Sequence, residues 1–114
     1  QPHVCISTTQ QTVANIIRYL DEHIGEQVSL HGLSEHFYLH PDYISRIFKR
    51  HTNTTVSSYI TLQKIALAQQ LLSEGYTVTQ AQLMTGYSSY AHFARTFKQQ
   101  TGIPPGAYRS RGIF

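Results

Sequence analysis

The stretch SRIFKRHTNTT, Ser45–Thr55, has a counterpart later in the chain, ARTFKQQTGIP, Ala94–Pro104. Four residue types recur in the same order, each matched pair lying 49 residues apart: Arg46 and Arg95, Phe48 and Phe97, Lys49 and Lys98, Thr52 and Thr101. A chain of 114 residues therefore carries one basic and aromatic pattern twice, which indicates a structural unit that occurs twice.

The hydrophobic pattern before and within the first stretch is helical. Apolar residues recur three, four and seven positions apart up to Gly25, which is the predicted end of a first helix. Ser29 is the predicted N-cap of a short second helix, and Pro41 suits the first position of a third helix, where its missing N–H costs nothing. This third helix is expected to end near Asn53, a residue that tolerates left-handed geometry. The predicted core residues are Val13, Ile16, Ile17, Leu20, Ile24, Leu30, Leu33, Phe37, Ile44, Ile47 and Phe48.

A longer connecting helix follows, and the pattern then restarts. The connecting helix is predicted over residues 57–72, with Gly75 closing it. Thr77 or Thr79 then caps a short helix, Gly86 makes a turn, and a helix over residues 89–100 ends at Gly102. The predicted inward-facing residues here are Ile60, Leu67, Ala68, Leu71, Leu72, Phe93, Thr96 and Phe97, and the short helix carries Val78, Ala81 and Leu83.

Each unit is thus a short helix, a tight turn and a second helix with a basic outer side, which is the helix-turn-helix layout. The chain is expected to be all-α. The predicted boundaries are an N-terminal tail or interdomain linker at 1–12, a first helix-turn-helix subdomain at 13–56, a connecting helix at 57–73 and a second subdomain at 74–114.

The outer side of the second helix in each unit has the composition of a DNA reader. A rotation of about 200° for every two residues separates this side from the core stripe. The outward residues are Asp42, Ser45, Arg46 and Lys49 in the first unit, and Ala91, Ala94, Arg95 and Lys98 in the second. A major groove admits a helix whose exposed side chains are small or can bond base edges, arginine can fork onto guanine, and lysine can meet phosphate. For Asp42, capping of the helix dipole is the alternative to a base contact.

The charge distribution also points to a polyanionic partner. Residues 1–42 hold one base and five acids, whereas residues 43–114 hold eight bases and one acid. A basic second part suits a polyanion such as DNA, and a solvated basic face without a partner is the alternative.

Several other classes of protein are not expected. No run of about 18 apolar residues is present, so no membrane span is predicted, and no secretory signal is visible. The single cysteine, Cys5, cannot form an internal disulfide, which suits a reducing cytosol. His36 and His40 lack the cysteine or acidic pair that would complete a tetrahedral set, so we expect no metal, no cofactor and no enzymatic activity. The only methionine is Met84, so we expect the chain to be part of a longer protein.

Three blocks of the chain resemble the DNA-binding domain of AraC/XylS-type transcription regulators. GYSSYAHFARTFKQQTGIPPGAYR, Gly86–Arg109, resembles the signature region of that family. LSEHFYLHPDYISRIFKRHT, Leu33–Thr52, resembles its first helix-turn-helix, and YITLQKIALAQQLL, Tyr59–Leu72, resembles its connecting helix. The resemblance covers roughly residues 13–110.

The resemblance implies seven helices, with two helix-turn-helix subdomains joined by a central connecting helix. It implies sequence-specific binding of double-stranded DNA by two recognition helices, in major-groove segments on one side of the duplex. It further implies a cytoplasmic bacterial activator that contacts RNA polymerase and carries an N-terminal sensing or dimerisation domain. The predicted DNA-binding residues are His40, Asp42, Ser45, Arg46, Lys49, Arg50, Ser89, Tyr90, Ala91, His92, Ala94, Arg95 and Lys98.

The sequence departs from the family pattern at four positions. Gln82 replaces the usual alanine, Thr85 the usual valine, Lys64 the usual arginine and Asn53 the usual glycine. The hydroxyl of Thr85 needs a hydrogen-bond partner, and the bulk of Gln82 must be accommodated by the second unit. Two alternatives to specific DNA binding stay open: a protein-interaction module that uses the basic helix faces, and a weakly specific DNA-binding repressor.

Overall fold

A computed structural model of the chain describes residues 8–112, which contain seven α-helices and no strand. The helices are α1 (Thr8–Glu22), α2 (Leu30–Phe37), α3 (Pro41–Thr52), α4 (Val56–Ser73), α5 (Val78–Met84), α6 (Tyr90–Thr101) and α7 (Pro105–Gly112). The predicted all-α fold with seven helices is therefore confirmed. Cys5 lies outside the described residues.

The helices form two compact units. The first unit comprises the described residues up to His23 together with Val28–Tyr59, and the second comprises Ile24–Gln27 together with the chain from Ile60 onward. The connecting helix α4 thus contributes its first turn to the first unit and the rest to the second. The first subdomain predicted from the sequence, residues 13–56, included Ile24–Gln27. This segment lies with the second unit instead, and nothing in the local sequence reveals its hydrogen bonds to Lys64, which are described below.

Helix α1 begins at Thr8, inside the segment 1–12 that was expected to be a tail or linker. Its first turns are polar and exposed: the hydroxyl of Thr12 donates to the Thr8 carbonyl at 2.9 Å, and Gln11 Nε2 donates to Asn15 Oδ1 at 3.1 Å. Apolar periodicity starts only at Val13, so the hydrophobic pattern places the start of α1 too late.

The repeated stretches end their helices in the same way. The hydroxyl of Thr52 lies 2.7 Å from the Phe48 carbonyl and accepts the Thr54 N–H at 3.3 Å. The matching threonine in α6 repeats this arrangement, with distances of 2.8 Å to the Phe97 carbonyl and 3.3 Å from the Ile103 N–H. The next residue is left-handed in both helices, Asn53 at φ 63° and Gly102 at φ 88°, which confirms the predicted helix ends.

The helix starts agree with the predicted caps. Ser29 accepts the Gly32 N–H at 3.0 Å and Pro41 opens α3. Thr77, and not Thr79, caps α5: its hydroxyl accepts the Gln80 N–H at 3.1 Å while the Gln80 side chain accepts the Thr77 N–H at 2.9 Å. This capping box satisfies two backbone donors at once.

Each unit buries its own apolar cluster. Residues 13–56 contribute Val13, Ile16, Leu20, Leu33, Ile44, Ile47, Phe48 and Val56 to the buried core. The second cluster consists of Ile65, Ala68, Leu71, Leu72, Ala81, Phe93 and Phe97. Leu67 and Val78 pack against this second cluster and are partly buried, as are Ile17 and Ile24 elsewhere in the chain.

Leu83, one of the apolar residues by which the short helix α5 was predicted, has a side chain that is 63% exposed. Gln82 is buried instead, because it follows directly on the buried Ala81 while Leu83 is rotated a further 100° or so. The amide of Gln82 donates to the Tyr87 carbonyl at 2.9 Å. The buried hydroxyl of Thr85 lies 2.7 Å from the Ala81 carbonyl, so both polar departures from the family pattern have hydrogen-bond partners.

Lys64 organises the turn that precedes α6. Its buried ammonium donates to the carbonyls of Ile24 at 2.7 Å, Glu26 at 2.6 Å and Thr85 at 2.7 Å. Burial lowers the pKa of Lys64, and the charge of Glu26 opposes that shift. The Gly86 backbone at φ 82° passes so close that a Cβ there would lie 2.9 Å from the Glu26 carbonyl oxygen, so only glycine fits this turn.

Tyr59 provides a test of the packing in the first unit. Its hydroxyl donates to Asp21 Oδ1 at 2.8 Å, and its ring meets Phe48 edge-on at 5.6 Å. Burial, then the hydrogen bond to Asp21 and the charge of that carboxylate, raise the pKa of Tyr59 from 10.0 to about 12. Because the unfolded chain loses this proton first, the stabilisation is complete below pH 10 and is lost between pH 10 and about 12.

We therefore expect the unfolding free energy of the unchanged chain to fall more steeply across that window than the unfolding free energy of Tyr59→Phe. Urea denaturation at a series of pH values below and within the window measures the difference. Parallel pH profiles of the two proteins would contradict the assigned role of the phenol, because the other tyrosines and lysines titrate in both.

Candidate nucleic-acid interface

The N-cap of α3 is a histidine, His40, which was not predicted to be a cap. His40 Nδ1 accepts the backbone N–H of Asp42 at 3.0 Å, so this nitrogen carries no proton and the neutral ring is protonated on Nε2. The Asp42 carboxylate lies 3.9 Å from the same nitrogen, in the first turn, where the helix dipole favours a negative charge. Both residues therefore have a structural role in holding this helix end, and their predicted DNA contact stays a prediction.

The rest of α3 divides into a buried and an exposed side, as the periodicity predicts. Ile44, Ile47 and Phe48 are buried, and Ser45 is half-buried at the edge. The exposed predicted site residues of this helix are Asp42, Arg46, Lys49 and Arg50.

The guanidinium of Arg46 lies over the ring of Tyr43, with 5.3 Å between Cζ and the ring centroid. Tyr43 was not among the residues predicted to be functional. Its position three residues before an outward arginine was the available signal, since residues three apart are neighbours on a helix surface.

Helix α6 presents a similar face with a different start. The hydroxyl of Ser89 accepts the backbone N–H of His92 at 3.2 Å and is the N-cap. Phe93, Thr96 and Phe97 are buried, as predicted. The exposed predicted site residues of this helix are Tyr90, Ala91, His92, Arg95 and Lys98, with Ala94 half-buried.

Tyr87 packs against the first turn of α6. Its ring meets His92 edge-on at 5.3 Å and Phe93 at 5.4 Å, and it lies 5.9 Å from the Lys64 ammonium. Burial raises the pKa of Tyr87. Tyr87, which is partly buried, thus contacts both Lys64 and the first turn of α6. The sequence did not reveal this role.

The two exposed faces are positively charged and their cations are not neutralised by neighbouring carboxylates. Within residues 8–112, no carboxylate lies within ion-pair distance of Arg46, Lys49, Arg50, Arg95 or Lys98. The close carboxylate contacts of His31 with Glu35 and of His40 with Asp42 involve none of these cations. Their N–H donors are therefore available to an external acceptor. Phosphate oxygens and the guanine edge are acceptors of this kind.

The described residues contain neither a candidate metal site nor a candidate membrane span. Among residues 8–112, no group of three or more histidine, cysteine, aspartate or glutamate side chains could hold a metal ion. No helix in the same range is both long and apolar enough to cross a membrane.

Two units of short helix, turn and exposed basic helix define the chain as a helix-turn-helix protein. A family model described as a helix-turn-helix domain matches residues 33–111, which is more than half of the chain. The chain belongs to this family, of the AraC type. This confirms the family expected from the three sequence blocks.

Known proteins similar to the chain include regulatory proteins. The regulatory protein PocR of Salmonella typhimurium is 27% identical over 96 residues, covering 83% of this chain and 32% of PocR. The regulatory protein SoxS of Escherichia coli is 26% identical over 103 residues, covering 90% of this chain and 96% of SoxS. The chain spans about a third of the length of PocR and of other curated relatives that it matches.

One similar solved structure contains DNA. The DNA-binding domain of the global transcriptional factor AdpA, in complex with a target DNA, superposes with a TM-score of 0.82 at 26% identity. The match covers 88% of this chain and 91% of the AdpA chain.

Proposed function

We propose that this chain is a sequence-specific double-stranded DNA-binding domain of a bacterial transcription regulator, and that α3 and α6 enter major-groove segments. The observation that carries the proposal is the matched pair of exposed faces. Each has an arginine and a lysine that lie 49 residues from their counterparts and have no carboxylate partner within residues 8–112. The similarity to the AdpA domain bound to DNA supports the same reading.

The residues on these faces divide into roles by their chemistry. Arg46 and Arg95, central on their helices, suit bidentate bonds to guanine. Lys49, Arg50 and Lys98 lie toward the ends of the helices and suit phosphate. The small side chains of Ala91 and Ala94 let α6 approach the base edges and contact thymine methyl groups.

We propose further that the domain serves a longer cytoplasmic regulator with a sensing or dimerisation domain, which activates transcription through RNA polymerase. The chain matches only about a third of PocR, which supports an additional domain. We also propose a binding role without enzymatic activity, since the exposed faces offer donors for hydrogen bonds but no positioned nucleophile and base.

A salt titration tests the proposal against the protein-interaction alternative. Fluorescence anisotropy on a random duplex should show binding that weakens with salt, with a log–log slope of about −0.9 for each phosphate contacted. Arg18→Ala is the matched control, because Arg18 is an exposed arginine of α1 outside both candidate faces. This variant should keep both the affinity and the slope.

Absence of binding at low salt, or binding that does not respond to salt, would contradict the proposal. Selection from a randomised duplex then separates a specific regulator from a weakly specific repressor. A specific domain enriches a defined motif, whereas a weakly specific binder returns the starting pool.

A further inference from the structure

Tyr43 and Arg46 form a pair on the exposed side of α3. The Arg46 guanidinium lies 5.3 Å from the centroid of the Tyr43 ring. Side chains of a helix lean toward the preceding turn, so a residue three positions earlier is the natural support for an exposed arginine. Tyr43 is half-buried, whereas Arg46 is exposed, so a packed ring carries a charge that faces solvent.

A ring that packs against the face of a guanidinium leaves its hydrogen-bonding edge free. The five N–H donors of arginine lie in the plane of the group, and a ring beneath it occupies only one face. An ion pair would have the opposite effect, because a carboxylate engages the same N–H groups that must reach guanine.

Asp42, four residues before Arg46, is the obvious candidate for such an ion pair. Its carboxylate lies 3.9 Å from His40 Nδ1, and among the described residues it is not within ion-pair distance of Arg46. Among the described residues, the neighbour found against the Arg46 guanidinium is therefore the Tyr43 ring and not the Asp42 carboxylate.

The second unit lacks the same support at the matched position. The residue 49 positions after Tyr43 is His92, whose ring meets Tyr87 edge-on at 5.3 Å. The two recognition faces thus share an arginine and a lysine at matched positions but differ in the contacts of the residue three positions before the arginine.

We propose that Tyr43 is a positioning residue for base recognition: its ring holds the Arg46 guanidinium with its N–H edge outward before DNA arrives. Arg46 then loses less conformational freedom on binding, which sharpens discrimination at the one base pair that it contacts. This inference rests on the proposed function. It adds a residue that affects base recognition only by orienting Arg46.

The test compares Tyr43→Leu and Tyr43→Phe with Tyr76→Leu, the same substitution at a tyrosine of the other unit, away from both faces. The probe is the duplex motif selected by the unchanged chain, with every base pair substituted in turn, and competition anisotropy as the readout. The base pair read by Arg46 is identified as the one at which Arg46→Ala loses discrimination.

Tyr43→Leu should lose about two- to fivefold of the discrimination at that base pair alone, as expected for an exposed cation–π contact. Its salt slope should stay unchanged, since no phosphate contact is removed, and Tyr43→Phe should keep the discrimination because it keeps the ring. Tyr76→Leu should match the unchanged chain throughout. Without DNA, the side-chain protons of Arg46 should show an upfield ring-current shift in the unchanged chain and Tyr43→Phe, and none in Tyr43→Leu.

Three results would overturn the role of Tyr43 while leaving the proposed function intact. The first is full discrimination in Tyr43→Leu, and the second is an equal loss in Tyr43→Phe. The third is a loss spread evenly over all base pairs together with a lower melting temperature, which indicates a packing role alone. If the unchanged chain binds no duplex in a salt-dependent manner, the proposed function fails, and the role of Tyr43 in recognition fails with it.

Discussion

Lys64→Met is expected to lower the free energy of unfolding by about 3 kcal/mol. The ammonium donates to three carbonyls, of which the bond to Thr85 is buried and those to Ile24 and Glu26 are partly buried. Methionine would leave these acceptors without their donor, and the buried Thr85 carbonyl is the costliest to leave unpaired. Methionine has a similar length and fills the space, so the loss reports the hydrogen bonds more than a cavity. For a domain of this size, such a loss corresponds to a fall of roughly 10–20 °C in melting temperature.

Lys98→Met is the matched control for this experiment. Lys98 is exposed on α6 in the same unit, so its replacement should change the unfolding free energy by no more than about 0.5 kcal/mol. Thermal and urea unfolding of the two variants give the comparison. Equal stability of both variants would mean that the three carbonyls do not depend on the Lys64 ammonium.

Arg46→Ala is expected to remove base discrimination, whereas Lys49→Ala is expected to weaken binding to every sequence. An arginine with a free N–H edge can bond guanine at two atoms, a contact worth about 1–3 kcal/mol of discrimination at one base pair. A lysine that meets phosphate contributes charge without sequence information, so its loss should make the log–log salt slope shallower by about 0.9.

Affinity for the selected motif and for each single base-pair substitution, at two or more salt concentrations, measures both effects. Arg95→Ala and Lys98→Ala repeat the comparison in α6. Identical motifs selected by Arg46→Ala and Lys49→Ala would contradict the division into base-reading and phosphate-binding residues. The stability of all four variants should stay near that of the unchanged chain, because their side chains are exposed.

The parts of the structure that depend on neighbours within about one helical turn were predictable from the sequence. The buried side of α3, the left-handed ends at Asn53 and Gly102, and the caps Ser29 and Thr77 all follow from residue spacing and local hydrogen bonding. The repeated threonine of the opening stretches belongs here too, because its hydroxyl bonds a carbonyl four residues earlier.

The DNA-reading candidates were predictable for the same reason. Turning by about 100° for each residue places the polar residues of α3 and α6 opposite their buried stripes once the helices are known. What local spacing did not predict is how these side chains are supported. The cap role of His40 and the ring beneath Arg46 depend on side-chain conformations that several residues settle together.

By itself, the sequence determined the first six helices, the doubled helix-turn-helix unit and the exposed basic faces, because each of these is encoded in residues close together in the chain. The seventh helix was expected only from the family resemblance. Only the tertiary structure decided that Lys64 bonds carbonyls 21 to 40 residues away, that Ile24–Gln27 belongs to the second unit, and that Gln82 is buried while Leu83 is exposed. These outcomes depend on which distant backbone segment lies against each residue. A buried polar group is stable only where such a segment supplies its hydrogen-bond partner, and that partner is specified by packing and not by local sequence.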